Sequence, residues 1–164
     1  MTKYFNWTDK IIEEELNICK SIIEENGTIV FPTETVYGIG ANALNKTAVE
    51  NIYKAKGRPS DNPLIVHVAD KEMLYKLVES VSNIEQKLID AFMPGPFTLI
   101  LKKRDIIPDI VTASLDTVGV RMPNNNIARM LIKKVDFPIA APSANISGKP
   151  SRYRNRRYKR RVME

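Results

Sequence analysis

Residues 46–78 read KTAVENIYKAKGRPSDNPLIVHVADKEMLYKLV, and this stretch sets two helix-like segments around one short apolar run. The spacing predicts a helix from Lys46 to Lys54 with Asn45 as its N-cap, since an Asn side chain can accept from a free N–H of the first turn. Pro63-Leu-Ile-Val-His-Val68 then reads as a strand, and a second helix follows over Lys71–Val78. Working outward, Thr8 to Asn26 places Ile11, Ile12, Leu16, Cys19, Ile22 and Ile23 mainly three or four apart before Gly27, the mark of an amphipathic helix. Thr28–Phe31, closed by Pro32, suits a buried strand. Ser82 with Glu85 forms a capping-box pattern opening a helix that Met93-Pro-Gly-Pro96 ends at about Phe92. Strands are expected over Phe97–Leu101, Thr117–Met122 and Pro138–Ala141, with a helix over Asn124–Val135. Helices alternating with short apolar strands indicate an α/β domain with a twisted, open mixed sheet and flanking helices.

The 164 residues carry 43% apolar content, enough for one domain with a real core. No apolar run approaches the roughly 20 residues that span a bilayer, and MTKYFNWTDK lacks a signal-peptide core, so a cytoplasmic protein is expected. Cys19 is the one thiol, which leaves neither a disulfide nor a cysteine metal cluster. The net charge of +6 invites a nucleic-acid reading, but residues 152–164 hold six Arg and one Lys against one Glu. The rest, with 18 basic and 18 acidic residues, is neutral, whereas a phosphate-backbone binder spreads its cations over a face.

There is no G-x-x-x-x-G-K-[ST] phosphate loop, and Gly38-Ile-Gly40 lacks the third glycine of a dinucleotide fingerprint. With His67 the one histidine, catalytic triads and zinc sites lack parts. What remains are polar clusters at strand ends, where α/β folds place ligands. Pro32-Thr-Glu-Thr-Val-Tyr-Gly38 is either a turn with satisfied hydroxyls or part of a site. Lys56 and Arg58 straddle Gly57 and could grip a polyphosphate or be solvated helix-end charges. His67 lies in an apolar strand, the usual place of a satisfied core histidine. Arg121 sits inside a strand-like run, where its charge needs either a structural salt bridge or a ligand carboxylate. Ala141–Pro150 is rich in small donors and is either a polar loop or a backbone approach to a ligand.

PTETVYG (32–38), KAKGRPSDNPLIVHV (54–68), MPGPFTLIL (93–101), TVGVRMP (117–123) and APSANISGKPS (141–151) together resemble, in this order, the YrdC-type family of threonylcarbamoyl-adenylate synthases. The resemblance runs over about residues 15–151. It implies a twisted open α/β fold around a large basic cavity for ATP and L-threonine. It also implies a reaction joining L-threonine, bicarbonate or CO2, and ATP into threonylcarbamoyl-AMP and pyrophosphate, for a downstream transferase that modifies tRNA. The family's K-x-R and S-x-N signatures map onto Lys56, Arg58, Ser143 and Asn145, with Lys56 and Arg58 neutralising the phosphates. The match further implies Asn62, Thr117 and Ser151 as ATP contacts, and Thr35, His67, Arg121 and the main chain of Ala141 as threonine contacts. No residue is assigned to a metal, and Mg2+ is expected because ATP arrives with it. Two other readings stay open. One is an RNA-binding module for tRNA or double-stranded RNA, and the other a carbamoyl-handling domain such as occurs within hydrogenase-maturation proteins.

After Ser151 the family pattern calls for an acidic helix and further strands, whereas this chain continues RYRNRRYKRRVME. With A/T-rich codons assumed, the same bases read one nucleotide later give Ala-Gly-Thr-Glu-Ile-Glu-Asp-Ile-Lys-Glu-Glu-Leu-Trp, which has the cap and apolar face of that helix. The expectation is therefore a domain over 1–151 lacking its C-terminal elements and a disordered basic tail over 152–164, a frameshift product. Reading the gene decides it, since codons giving no acidic helix when shifted would sink the idea. Uncovered sheet and reduced activity are the expected consequences.

Overall fold

The computed structural model describes residues 2–7, 12–57 and 59–148. They form helices α1 (Glu13–Glu24), α2 (Lys46–Lys56), α3 (Lys71–Leu77), α4 (Asn83–Phe92), α5 (Asp109–Thr112) and α6 (Asn126–Val135). The strands are β1 (Ile29–Phe31), β2 (Gly38–Asn42), β3 (Val66–His67), β4 (Leu99–Lys102), β5 (Thr117–Arg121) and β6 (Ile139–Ala140), in one sheet ordered β1-β2-β6-β3-β5-β4. Only the β3–β5 pair is parallel among these neighbours, so the sheet is mixed as expected.

Local chemistry sets the helix starts. Asn45, Asp70 and Asn125 each accept from the backbone N–H three residues on, and Ser82 and Glu85 close a full capping box. At the end of α2, Gly57 takes the left-handed conformation that terminates a helix cheaply in glycine. Three departures from the sequence reading stand out. Strand β2 was not foreseen, the Pro63–Val68 strand pairs only at Val66–His67, and the four-residue α5 was unforeseen. The Thr8–Asn26 helix begins at Glu13 within the described residues, with 8–11 lying outside them.

Strand pairing assigns every side chain to a face, because directly opposed residues point the same way. One face carries Val66, Val118, Val120, Leu101 and Ala140. Helices α2 to α5 cover it with Val49, Ile52, Leu74, Leu77, Ile89 and Val111 in one continuous core. The opposite face carries Ile29, Phe31, Ile139, Ala141, His67 and Arg121. Among the described residues its β1-β2-β6 half is covered, by Leu16, Cys19 and Ile23 of α1 and Ala128, Leu131, Ile132 and Val135 of α6. Among the described residues no helix continues past Ile139, and on the β3-β5-β4 half of that face Ile100 is 68% exposed.

Candidate functional site

A cavity of about 290 Å³ opens where the α1–α6 cover ends, at the small end of the range for ligand pockets. Thr33, Thr35 and Gly38 line it from the β1–β2 connection, Pro63 and Ile65 from the approach to β3, and Ala141 and Ser143 from the chain leaving β6; His67 and Arg121 form its floor.

Register explains the floor. His67 pairs with Arg121 across the parallel β3–β5 contact and with Ile139 across β6, so all three share one face. His67 is 5% exposed and its Nδ1 has no hydrogen-bond partner. Burial, and next the charge of Arg121, push its pKa down to about 4, while the carbonyls of Ile65 and Ile139 and the Glu34 carboxylate push weakly the other way. The imidazole is therefore neutral near pH 7 and can present a free ring nitrogen.

Arg121 answers the question its position in a strand raised. Its Nη2 donates to Glu34 Oε1 at 2.7 Å and to Thr35 Oγ1 at 3.2 Å, while its buried Nε has no partner. A structural salt bridge is thus present, yet one donor of the guanidinium remains unmet. Burial alone would raise the Glu34 pKa, but the bond from Arg121 and the N–H groups of Glu34 and Asn124 outweigh it and hold the carboxyl below its ordinary value. The loop offering Glu34 and Thr35 is tied by Thr33, whose hydroxyl donates to the Val36 carbonyl at 2.6 Å and accepts from the Val36 N–H at 3.2 Å.

Lys56, expected at the phosphates, is 4% exposed at the end of α2. Its Nζ donates to the Ser143 carbonyl and, at 2.6 Å, to the Asn145 carbonyl, so it clamps the loop that forms one cavity wall. Three further bonds fix that loop: Ala144 N–H to the Tyr37 carbonyl, Ser147 N–H to the Lys56 carbonyl, and Ser143 Oγ to Asn145 Oδ1. The structure therefore gathers Thr35, His67, Arg121, Ala141 and Ser143 around one cavity, with Lys56 and Asn145 behind its wall. Asn62 is exposed just before the lining residue Pro63, and its carbonyl accepts from Tyr53 Oη at 3.0 Å. Thr117 lies on β5 opposite Lys102, outside the lining. Arg58 and Ser151 lie outside the described residues. Thr33, which lines the cavity, and Glu34, which pairs with Arg121, belong to the Pro32–Gly38 cluster but were given no individual role from the sequence. Among the described residues no group of three or more His, Cys, Asp or Glu could hold a metal ion, and no helix is long and apolar enough to cross a membrane.

Sheet, guanidinium and neutral imidazole define an α/β domain with a small, mainly apolar cavity that holds one cationic and one neutral titratable side chain. The chain belongs to the Sua5/YciO/YrdC family, whose profile, described as "Telomere recombination", matches residues 21–164. It is 50% identical over 151 residues to a threonylcarbamoyl-AMP synthase of Pyrococcus abyssi, covering 92% of this chain and 44% of that protein. A protein of the same name in Bacillus subtilis is 50% identical over 147 residues, covering 88% of this chain and 42% of the other. The crystal structure of P. abyssi Sua5 complexed with L-threonine superposes with a TM-score of 0.85 at 51% identity, over 87% of this chain and 42% of that one. The chain thus spans less than half the length of these relatives.

Proposed function

We propose that this chain is the catalytic domain of an L-threonylcarbamoyladenylate synthase, with the cavity on Arg121 as its threonine site. The observation that carries the reading is the pair of side chains with an unpartnered buried nitrogen, Arg121 and His67, that line one small cavity in a chain half identical to proteins named for that activity. L-Threonine supplies what they lack. Its carboxylate would lie against the Arg121 guanidinium, with Thr35, the neutral His67 and the main chain at Ala141 completing the site. Neutrality of His67 matters here, because an imidazolium would compete with Arg121 for the carboxylate.

ATP would lie toward Asn62, Ser143 and Asn145, with Thr117, Arg58 and Ser151 as further contacts and Lys56 holding the wall that meets the nucleotide. Mg2+ would arrive on the phosphates. The threonine amine takes up CO2, derived from bicarbonate, and loses a proton to give a carbamate. A carbamate oxygen then attacks the α-phosphorus, and the bond to the pyrophosphate oxygen breaks as pyrophosphate leaves. The chain's part in this is positioning and charge neutralisation, in keeping with the lack of an activated nucleophile among the described residues. A cytoplasmic location suits an activity that draws on ATP and serves a tRNA-modifying transferase. An RNA-binding role would draw on the basic run 152–164, outside the described residues, and the neutral body gives it no second support. Pyrophosphate release from ATP and bicarbonate that depends on L-threonine is the expected result. Release indifferent to threonine, from a folded protein, would count against the reading.

A further inference from the structure

Lys56 ends α2 as a buried cation and does not line the cavity. A buried ammonium is costly unless acceptors surround it, and the loop leaving β6 supplies them. Its Nζ donates to the Ser143 carbonyl and, at 2.6 Å, to the Asn145 carbonyl. The Ser143 carbonyl also accepts from the Asn145 N–H at 2.9 Å, so the loop folds tightly about the ammonium. The lysine main chain takes a third hold, its carbonyl accepting from the Ser147 N–H at 3.2 Å. From this anchor the segment reaches the other walls. The Ala144 N–H donates to the Tyr37 carbonyl at 2.7 Å, the Ile39 N–H to the Pro142 carbonyl at 3.0 Å, and the Ala141 N–H to the Ile65 carbonyl at 2.9 Å. Gly38, Ile65, Ala141, Pro142 and Ser143 all line the cavity, so its walls are tied to one anchored segment.

We propose that Lys56 is a positioning residue for the amino-acid site: its ammonium, committed to two loop carbonyls, sets the backbone of residues 141–143 against which the ligand lies, and it does not meet the phosphates of a nucleotide. The inference rests on the reading of the cavity as a threonine site and deepens it, by giving a role in that site to a residue outside its lining. Without the ammonium, the carbonyls of Ser143 and Asn145 lose a donor and must find water or other partners. The loop then shifts, and the main chain at Ala141 and the Ser143 hydroxyl leave the positions in which they would meet a ligand. A lysine that served the phosphates would instead leave nucleotide-free threonine binding untouched, which separates the two roles.

The test is calorimetric binding of L-threonine, without nucleotide, to the 164-residue chain and to Lys56→Met, which keeps most of the side-chain length and removes its donors. Lys56→Met should bind threonine at least about tenfold more weakly while thermal unfolding stays a single transition. A variant with a lowered unfolding temperature and unaltered threonine affinity makes Lys56 a packing residue only and overturns the proposal, though the threonine site stands. An unaltered chain that binds no threonine defeats the amino-acid reading and the proposal with it. Should Lys56→Met fail to fold, reductive methylation of the unaltered chain, read by mass spectrometry, decides. Lys56 should react about tenfold or more slowly than the exposed Lys76, since it must first leave its carbonyls. L-Threonine alone should slow it further, because a ligand on the wall holds the clamp closed. Protection of Lys56 by ATP and none by threonine would mark a phosphate-facing lysine and overturn the proposal.

Discussion

The two halves of one sheet face belong to one continuous sheet and are treated in opposite ways. Over β1-β2-β6, α1 and α6 close on Ile29, Phe31 and Ile139, an all-apolar cluster. Over β3 and β5 no helix follows among the described residues, and the side chains in register with Ile139 are His67 and Arg121, each with a buried nitrogen left unmet. The site is where packing stops. Stability should therefore reside in the covered half and ligand binding in the open one, a division that substitutions can break.

The largest effect is expected from Ile132→Ala in α6. The side chain is fully buried, and emptying it should cost about 3 kcal/mol of unfolding free energy by chemical denaturation. A loss of similar size should come from acid. His67 titrates near 4 in the folded chain against 6.5 ordinarily, so the unfolded chain binds the extra proton between those values. The stabilisation is whole above pH 6.5 and drains away as pH falls toward 4, by about 3 kcal/mol in total. His67→Asn should flatten that slope. Glu34, held below its usual value, adds a further loss only at more acid pH.

Two glycines sharpen the contrast. A methyl at Gly40, in the covered half, would lie 2.4 Å from Ile139 Cγ2 and 2.9 Å from Phe31. Gly40→Ala should thus destabilise by about 2 kcal/mol through overpacking. At Gly119, on the open half, the nearest atoms are Thr98 Cγ2 at 3.2 Å and Ile65 Cγ1 at 3.8 Å, so Gly119→Ala should cost under about 1 kcal/mol. Equal costs at the two positions would mean that the halves do not differ in packing.

What could be read from the sequence follows the same division. Helices announce themselves through periodicity and caps, and those at Asn45, Ser82 and Asn125 start within a residue or two of where their signals lie. Strand β2 was hidden because Gly38-Ile-Gly-Ala-Asn42 has the composition of a loop. Its glycines answer to Phe31 and Ile139 filling the space above them, a demand no local pattern reveals. Four of the threonine contacts expected from the resemblance, Thr35, His67, Arg121 and Ala141, do converge on one cavity. Glu34 stood inside the quoted Pro32–Gly38 cluster but was given no role of its own. The available signal was Arg121, a cation inside a strand that required an anion. Lys56 looked like a solvated or phosphate-facing cation because its carbonyl partners lie 87 and 89 residues away along the chain.

The central claim, that the open half is an amino-acid site organised by Arg121, is tested most directly by titrating L-threonine into the unaltered chain and into Arg121→Lys. Lysine keeps the charge and removes the two-pronged edge. The account predicts saturable binding to the unaltered chain and at least about tenfold weaker binding to the variant, with thermal unfolding retained as a single transition in both. Equal affinity in the two proteins would contradict it.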